Sequence, residues 1–425
     1  MNNQRLELVA DFYEYTMANG YFNKNMQDRI AYFDVFFRKV PDEGGYAIVA
    51  GLEQIINYIR NVSFDEEDIS YLRKQNKFTE EFLNYLENFR FTGDIWAIPE
   101  GTVVFPNEPL ITVKAPIIQA QLLETMLLLT TNHQSLIATK TSRIVKEAQG
   151  RPVMEFGARR AHGINAAVEG ARAAIIGGAV GTSCTLSAKE FNVPASGTMA
   201  HSWIQSFDSE YEAFKAYAEL YPDDCTFLID TYNTIESGLP NAIKVFNEVL
   251  KPKGYRPKAV RLDSGDLAYL SKKVRKILDE AGYEDCKICA TNSLDEYLIK
   301  SLIEQDAKID LFGVGENLIT AKSEPVFGGV YKLVALEKDK KIVPKIKVSE
   351  NTAKVTNPSF KKVYRFYDNE TKKAIADVIT LADEIIDERE YMIFDPQNPW
   401  KKKVLKDYSI RLLQEKIFEE RKINI

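Results

Sequence analysis

Histidine and cysteine are scarce in this chain, three and four residues among 425, and Lys and Arg (55) are outnumbered by Asp and Glu (61), for a formal net charge of −6. Four cysteines in so long a chain make no disulfide framework. Cys286 and Cys289 form a Cys-x-x-Cys, but no second pair or His ligand lies near in sequence to complete a zinc site, and both read as small strand residues. The acidic balance argues against a binder of nucleic acid or of an anionic membrane, which advertises basic faces, while leaving room for a local basic pocket for a small anion. No stretch reaches the roughly 18 to 20 apolar residues that span a bilayer. The start, Met-Asn-Asn-Gln-Arg-Leu-Glu, has neither the basic nor the apolar region of a signal peptide, so a cytoplasmic protein is expected. Also missing is the Gly-x-Gly-x-x-Gly turn after a first strand, which disfavours a doubly wound dinucleotide fold.

What is present reads as an α/β protein. The length exceeds what one core usually supports, and 45% hydrophobic with 27% charged residues is ordinary for a globular enzyme, so two domains are expected. Residues 7–22 have helical spacing but more aromatic rings than a core helix needs, a face suited to a ligand or another subunit. Ile30 to Val40 alternates as a strand with Phe33, Val35 and Phe37 on one face, and Tyr46 to Arg60 reads as an amphipathic helix. More helix follows to about Phe89, then short strands broken by Gly and Pro from Phe91 to Ala115, then a long helical pattern from Pro116 to about Gln149.

From Arg151 a unit of strand, polar tip and helix recurs. Val153-Met-Glu-Phe ends in Gly157-Ala-Arg-Arg; Cys225-Thr-Phe-Leu-Ile ends in Asp230-Thr-Tyr-Asn and precedes a helix over Ile235 to Leu250. Ala259-Val-Arg-Leu ends in Asp263-Ser-Gly-Asp, Lys287-Ile-Cys-Ala in Thr291-Asn-Ser, and Asp310-Leu-Phe in Gly313-Val-Gly. With Gly181 to Cys184 and the stretch around His201, about seven strands are counted, which predicts an irregular α/β (TIM-like) barrel with its catalytic groups at the carboxyl ends of the strands. Beyond Gly329 the strands Val330 to Leu336, Lys345 to Val348 and Val363 to Tyr367 read as antiparallel, with a terminal helix from about Asp407 to Glu420. The expected organisation is a discontinuous α/β domain built from residues 1–115 and 330–425 around a barrel at 116–329.

The stretch Ser196-Gly-Thr-Met-Ala-His-Ser-Trp presents His201 between small hydrogen-bonding neighbours. An imidazole there can serve as base, acid or phosphoryl-accepting nucleophile near neutral pH, or be a partly buried ring satisfied by a carbonyl. The other tips carry Arg159, Arg160, Asp230, Arg261 with Asp263 and Asp266, Asn292, Gly313 and Gly315. Arginines beside exposed backbone amides suit phosphoryl oxygens, and carboxylates in the same mouth suit sugar hydroxyls, a magnesium ion or an oxocarbenium-like charge. A single Arg-x-Asp is as readily a surface ion pair; several coincident polar tips are not.

Glu155-Phe-Gly-Ala-Arg-Arg-Ala-His-Gly, Gly197-Thr-Met-Ala-His-Ser, Ile229-Asp-Thr-Tyr-Asn-Thr, Val260-Arg-Leu-Asp-Ser-Gly-Asp-Leu and Gly313-Val-Gly with Gly328-Gly-Val-Tyr-Lys-Leu together resemble the nicotinate phosphoribosyltransferases, in order and over nearly the whole chain. The resemblance implies transfer of phosphoribose from phosphoribosyl pyrophosphate (PRPP) to nicotinate with ATP hydrolysis coupled, in a homodimer with shared active sites. It suggests His201 as the phosphorylated histidine, Asp263 and Asp230 as catalytic carboxylates, and Asp263 as a metal ligand for magnesium. It places Phe156 and Tyr13, the latter from the neighbouring subunit, on the two faces of the pyridine, with Thr198 and Arg261 beside it. Arg159, Asn292, the amides of Gly313 and Gly315, and Thr320 would take phosphate. Related nicotinamide enzymes carry an aspartate where Gly181-Thr-Ser-Cys has Ser183; a hydroxyl can donate to a carboxylate that an aspartate would repel by about 1 kcal/mol or more, so nicotinate is favoured. The same residues also suit a plain capped turn. Glu316 departs from the family pattern, where a small hydroxyl residue is usual, and an acid there must turn away from phosphate or meet magnesium. Neither zinc nor haem is expected. A sibling enzyme for nicotinamide or quinolinate, and a catalytically silent nucleotide-binding barrel, are the alternatives.

Overall fold

Six apolar runs of the central segment become the strands of one parallel sheet in the order 181–182, 153–155, 311–314, 287–290, 259–262, 226–228. The computed structural model describes residues 6–350, 355–387, 389–396, 398–419 and 422–423. By proximity of its residues the chain divides into two units, Met1–Ser135 with Val326–Ile425, and Leu136–Pro325. The second unit contains the parallel sheet. The division falls inside the helix Glu124–Glu147, whereas a boundary drawn from the change of pattern falls at the strand-to-helix step near Pro116.

Read in chain order, the parallel strands run round an arc that is open only between 181–182 and 226–228. Helices Ile164–Ile176, Leu267–Glu280 and Glu296–Glu304 follow strands in the βαβ manner and bury one apolar face each, as Val274 and Leu278 or Ile299 and Leu302 show. The result is an irregular α/β half-barrel. The expected seventh strand around His201 is not one: Ala195 makes a single parallel bridge to Thr182, after which the chain leaves the sheet and His201 opens the short helix His201–Gln205. Pro194, which has no N–H, and Gly197 leave too little ladder to extend that bridge. The helix expected over 235–250 is also irregular, a π turn Thr234–Gly238, an α segment Leu239–Val245 and a second π turn Phe246–Leu250.

The first unit is built around an antiparallel sheet ordered 341–344, 329–338, 30–37, 111–116, 94–97, 415–419, 422–423. Strand Ile30–Phe37 lies in its middle and is buried on both faces from Ala31 on, beyond the one-face alternation read from sequence. The expected helix Tyr46 to Arg60 begins only at Leu52, because Gly51 (φ +104°) breaks it from Ala47–Ile48, a short strand paired with Val103–Val104. The predicted strand Lys345 to Val348 is not formed; pairing with 329–338 is made instead by Lys341–Pro344. The terminal helix is overturned as well. Tyr408–Leu412 pairs with Lys361–Asp368, and Glu415–Glu419 pairs with Asp94–Ala97, burying Ile417 and Phe418. Partners distant in the chain, as Ala97 is from Glu415, supply ladder bonds that no local pattern can announce.

Candidate active site

All six parallel strands end on the same side, and their tips carry the polar residues singled out by sequence. Arg261, the third residue of its strand, is the hub. Its Nε donates to Thr291 Oγ1 at 3.1 Å, its Nη1 to Thr198 Oγ1 and to the Met199 carbonyl, both at 3.2 Å, and its Nη2 to Asp263 Oδ1 at 3.3 Å. Thr291 also donates to Asp263, so arginine, threonine and aspartate close a ring. The Asp263 backbone N–H donates to Asp230 Oδ2 at 3.0 Å and the Ser264 hydroxyl donates to the same oxygen. His201 Nδ1 is 3.0 Å from Thr231 Oγ1, and its Nε2 faces Asp263 Oδ2 at 3.6 Å. Thr198, His201, Asp230, Arg261, Asp263 and Thr291 are thus one connected cluster, gathered from three tips and the segment that crosses the open side of the arc. The cluster leaves His201 half-exposed, its ring open to a reactant.

A second group forms an apolar wall. The Phe156 N–H donates to the Val314 carbonyl at 2.7 Å, and its ring lies against Gly313 so closely that a Cβ there would sit 2.5 Å from Phe156 Cδ2 and 2.8 Å from Thr291 Cγ2. Gly313 is therefore the seat of the ring, and it joins the wall to the Arg261–Thr291–Asp263 ring. Gly157 is required for the same kind of reason: a Cβ would meet Ile319 Cβ at 2.6 Å and the Gly315 carbonyl at 2.8 Å. Ser183 is exposed at the end of its short strand. It does not cap the next helix; Cys184 is the N-cap, and its N–H donates to Thr182 Oγ1 at 2.9 Å.

The proposed phosphate ligands are less tightly organised. Arg159 is exposed on the single turn Ala158–Arg160, Asn292 is exposed with φ +85°, and Gly315 precedes the short helix Glu316–Ile319. Thr320 spends its hydroxyl on its own helix, donating to the Glu316 carbonyl at 2.6 Å. Glu316 is accounted for: Lys322 Nζ lies 2.9 Å and Arg160 Nε 3.7 Å from its carboxylate, and the bond to Lys322 holds it below the usual carboxylate range. Tyr13 belongs to the other unit, half-exposed on helix Phe12–Asn23 beside exposed Phe12 and Met17.

Sequence reading missed Thr231, Ser264 and Thr291, each adjacent to or one step from a residue it chose; hydroxyls beside charged strand tips are the signal that finds them. Asp230 Oδ1 is buried and has no hydrogen-bond partner among the described residues. With Asp263 beside it, this donor set fits a magnesium ion that completes its shell with phosphate oxygens, as magnesium commonly does. No group of three or more His, Cys, Asp or Glu side chains placed to hold a metal ion occurs among the described residues.

A parallel half-barrel with a guanidinium, two carboxylates, an imidazole and hydroxyls at the carboxyl ends of its strands defines an α/β-barrel enzyme of anionic, hydroxyl-bearing substrates. Comparison narrows the class. The nicotinate phosphoribosyltransferase (NAPRTase) N-terminal domain matches residues 8–132, the NAPRTase family 152–380 and the NAPRTase C-terminal domain 360–424. The chain is 46% identical over 416 residues to the nicotinate phosphoribosyltransferase of Bacillus subtilis, covering 98% of this chain and 84% of that protein. It is 30% identical over 436 residues to the Homo sapiens enzyme of the same name, covering 89% and 80%. The crystal structure of human nicotinic acid phosphoribosyltransferase superposes with a TM-score of 0.84 at 26% identity, covering 96% of this chain and 89% of that one. The chain belongs to the nicotinate phosphoribosyltransferase family. Among the described residues no helix is long and apolar enough to cross a membrane.

Proposed function

We propose that this enzyme converts nicotinate, PRPP, ATP and water to nicotinate mononucleotide, pyrophosphate, ADP and phosphate, as a cytoplasmic homodimer. The observation that carries the reading is the Arg261 hub, which ties Thr198 of the histidine segment to Asp263 and Thr291 of two strand tips. Arg261 and Thr198 would meet the nicotinate carboxylate, Ser183 would donate to it, and Phe156 would stack on the ring, with a partner subunit's Tyr13 on the opposite face. As the pyridine nitrogen bonds the anomeric carbon and the bond to pyrophosphate breaks, the buried carboxylate of Asp230 and the partly exposed one of Asp263 offset the positive charge on the ribosyl group. Magnesium, when bound, would neutralise the leaving pyrophosphate. Arg159, Asn292 and the amides around Gly315 would hold phosphate groups. His201 would take the terminal phosphoryl of ATP, a ring nitrogen bonding phosphorus as the bond to ADP breaks, and water would later release it as phosphate.

The test is product formation from nicotinate and PRPP with magnesium, with and without ATP, while ADP release is followed, for the native enzyme and His201→Ala. ATP is expected to raise the yield of nicotinate mononucleotide, and the variant to lose both that gain and ADP release. Full coupling in the variant would remove His201 from the phosphoryl step. Product from nicotinamide alone would overturn the role of Ser183. Mixing Tyr13→Ala and His201→Ala subunits should restore ATP-stimulated product formation if sites are shared between subunits.

A further inference from the structure

Beyond the last ladder bonds of strands 153–155 and 181–182, the two tips that carry Phe156 and Ser183 are joined by side chains. The strands pair in parallel with Glu155 opposite Thr182, and the Ser183 N–H donates to the Glu155 carbonyl at 2.9 Å. One step further, the amides of Gly157 and Cys184 have left the sheet. Glu155 Oε1 accepts from the Gly157 N–H, Glu155 Oε2 accepts from Thr182 Oγ1 at 2.6 Å, and Thr182 Oγ1 accepts from the Cys184 N–H at 2.9 Å. The relay Cys184 N–H, Thr182 hydroxyl, Glu155 carboxyl, Gly157 N–H is continuous, and both Glu155 and Thr182 are 0% exposed. Burial raises the Glu155 carboxyl, against the pull of the Thr182 and Gly157 bonds. A buried acid is costly where an apolar side chain would pack, unless its oxygens are needed as acceptors.

We propose that Glu155 is a positioning residue for the pyridine acceptor: its carboxylate, reached through Thr182, ties the Phe156–Gly157 turn to the Ser183–Cys184 tip and sets the gap in which the pyridine ring and its carboxylate must fit. This rests on the reading of Phe156 and Ser183 as parts of the nicotinate site. Glu155 touches no substrate in this scheme. The Ile319 side of Gly157 is already filled, so a shift of the turn on loss of the staple can only be directed away from Ile319, and it would carry the aromatic ring seated on Gly313.

Steady-state kinetics on the full enzyme, with nicotinate and PRPP varied separately, test it. Thr182→Val cuts one arm of the relay and Glu155→Gln replaces one acceptor by a donor. Each is expected to raise KM for nicotinate about tenfold while KM for PRPP moves less than about twofold, since small misplacements of a binding element are felt by the group it holds. Thr182→Ser, which restores the hydroxyl, should bring KM for nicotinate back to within about twofold of the native value. Parallel rises in both KM values, or a lowered melting temperature with KM for nicotinate unchanged, would overturn the proposal. Phe156→Ala and Ser183→Ala separate its failure from that of the site reading. If they raise KM for nicotinate while Thr182→Val does not, only the positioning role fails; if they leave it unchanged, the pyridine site lies elsewhere and both fail.

Discussion

The Nε2 of His201 lies 3.6 Å from Oδ2 of Asp263, while its Nδ1 is 3.0 Å from the Thr231 hydroxyl. The ring is held at one edge by a hydrogen bond, and its other edge faces a carboxylate just beyond hydrogen-bond range. A carboxylate so placed would offset the positive charge that the imidazole acquires in the proposed attack on phosphorus. Asp263→Asn keeps the size and removes that charge. Turnover with ATP is expected to fall roughly 100-fold, and the acid-labile phosphate trapped on the protein from labelled ATP should fall with it.

Arg261→Lys is not a conservative change at the hub. A lysine cannot reach Thr291, Thr198, the Met199 carbonyl and Asp263 at once, as the guanidinium does. Losing one charged hydrogen bond costs about 2 kcal/mol, so kcat/KM for nicotinate should drop about 30-fold. Unfolding by urea is the control, and should show little change.

Gly313→Ala puts a methyl group where the Phe156 ring lies, 2.5 Å from its Cδ2. The ring must swing away, and KM for nicotinate should rise about tenfold. A variant that binds nicotinate normally would mean that the ring is not its platform.

Glu14 gives the stability a pH dependence. Its buried carboxyl is raised from its ordinary 4.5 to about 7, chiefly by burial, with Thr125 and the Asp11 N–H pulling the other way. The fold therefore favours the protonated form. This contribution is fully present below pH 4.5 and is lost as pH rises through about 7. Glu14→Gln removes the titration, so the variant should gain on the order of 1 kcal/mol over the native protein at pH 8 and show a flatter melting-temperature profile between the two pH values.

Lys140 and Glu296 form an ion pair 2.7 Å apart with side chains 2% and 5% exposed, and Lys140 also donates to Ser323 at 2.8 Å. Lys140→Met strands a buried carboxylate and should cost about 3 to 5 kcal/mol. The double variant Lys140→Met with Glu296→Leu should recover most of that loss in urea unfolding, because the stranded charge is gone.

Much of the site was legible because barrel strands report their own ends. An apolar run such as Ala259-Val-Arg-Leu followed by Asp263 announces both the strand and the side of the sheet on which its tip falls. The hub itself was not legible. Arg261 and Thr291 are neighbours because strands 259–262 and 287–290 pair in a particular register, and Thr198 reaches the same guanidinium from a segment that makes only one bridge to the sheet. His201 stands out in the sequence by its company of Gly, Thr and Ser, but its helical backbone and its two contacts do not.

Residue types and their local order determined the α/β class, the polar ends of the barrel strands and the motifs of the family. Tertiary structure alone decided that six strands and not seven form the parallel sheet, that Tyr408–Leu412 and Glu415–Glu419 are strands and not a helix, and that Gly313 is a seat for an aromatic ring. The reason is common to all three. Local pattern fixes which face of a segment is apolar, but ladder bonds, burial and close approach depend on what another part of the chain brings to the other side.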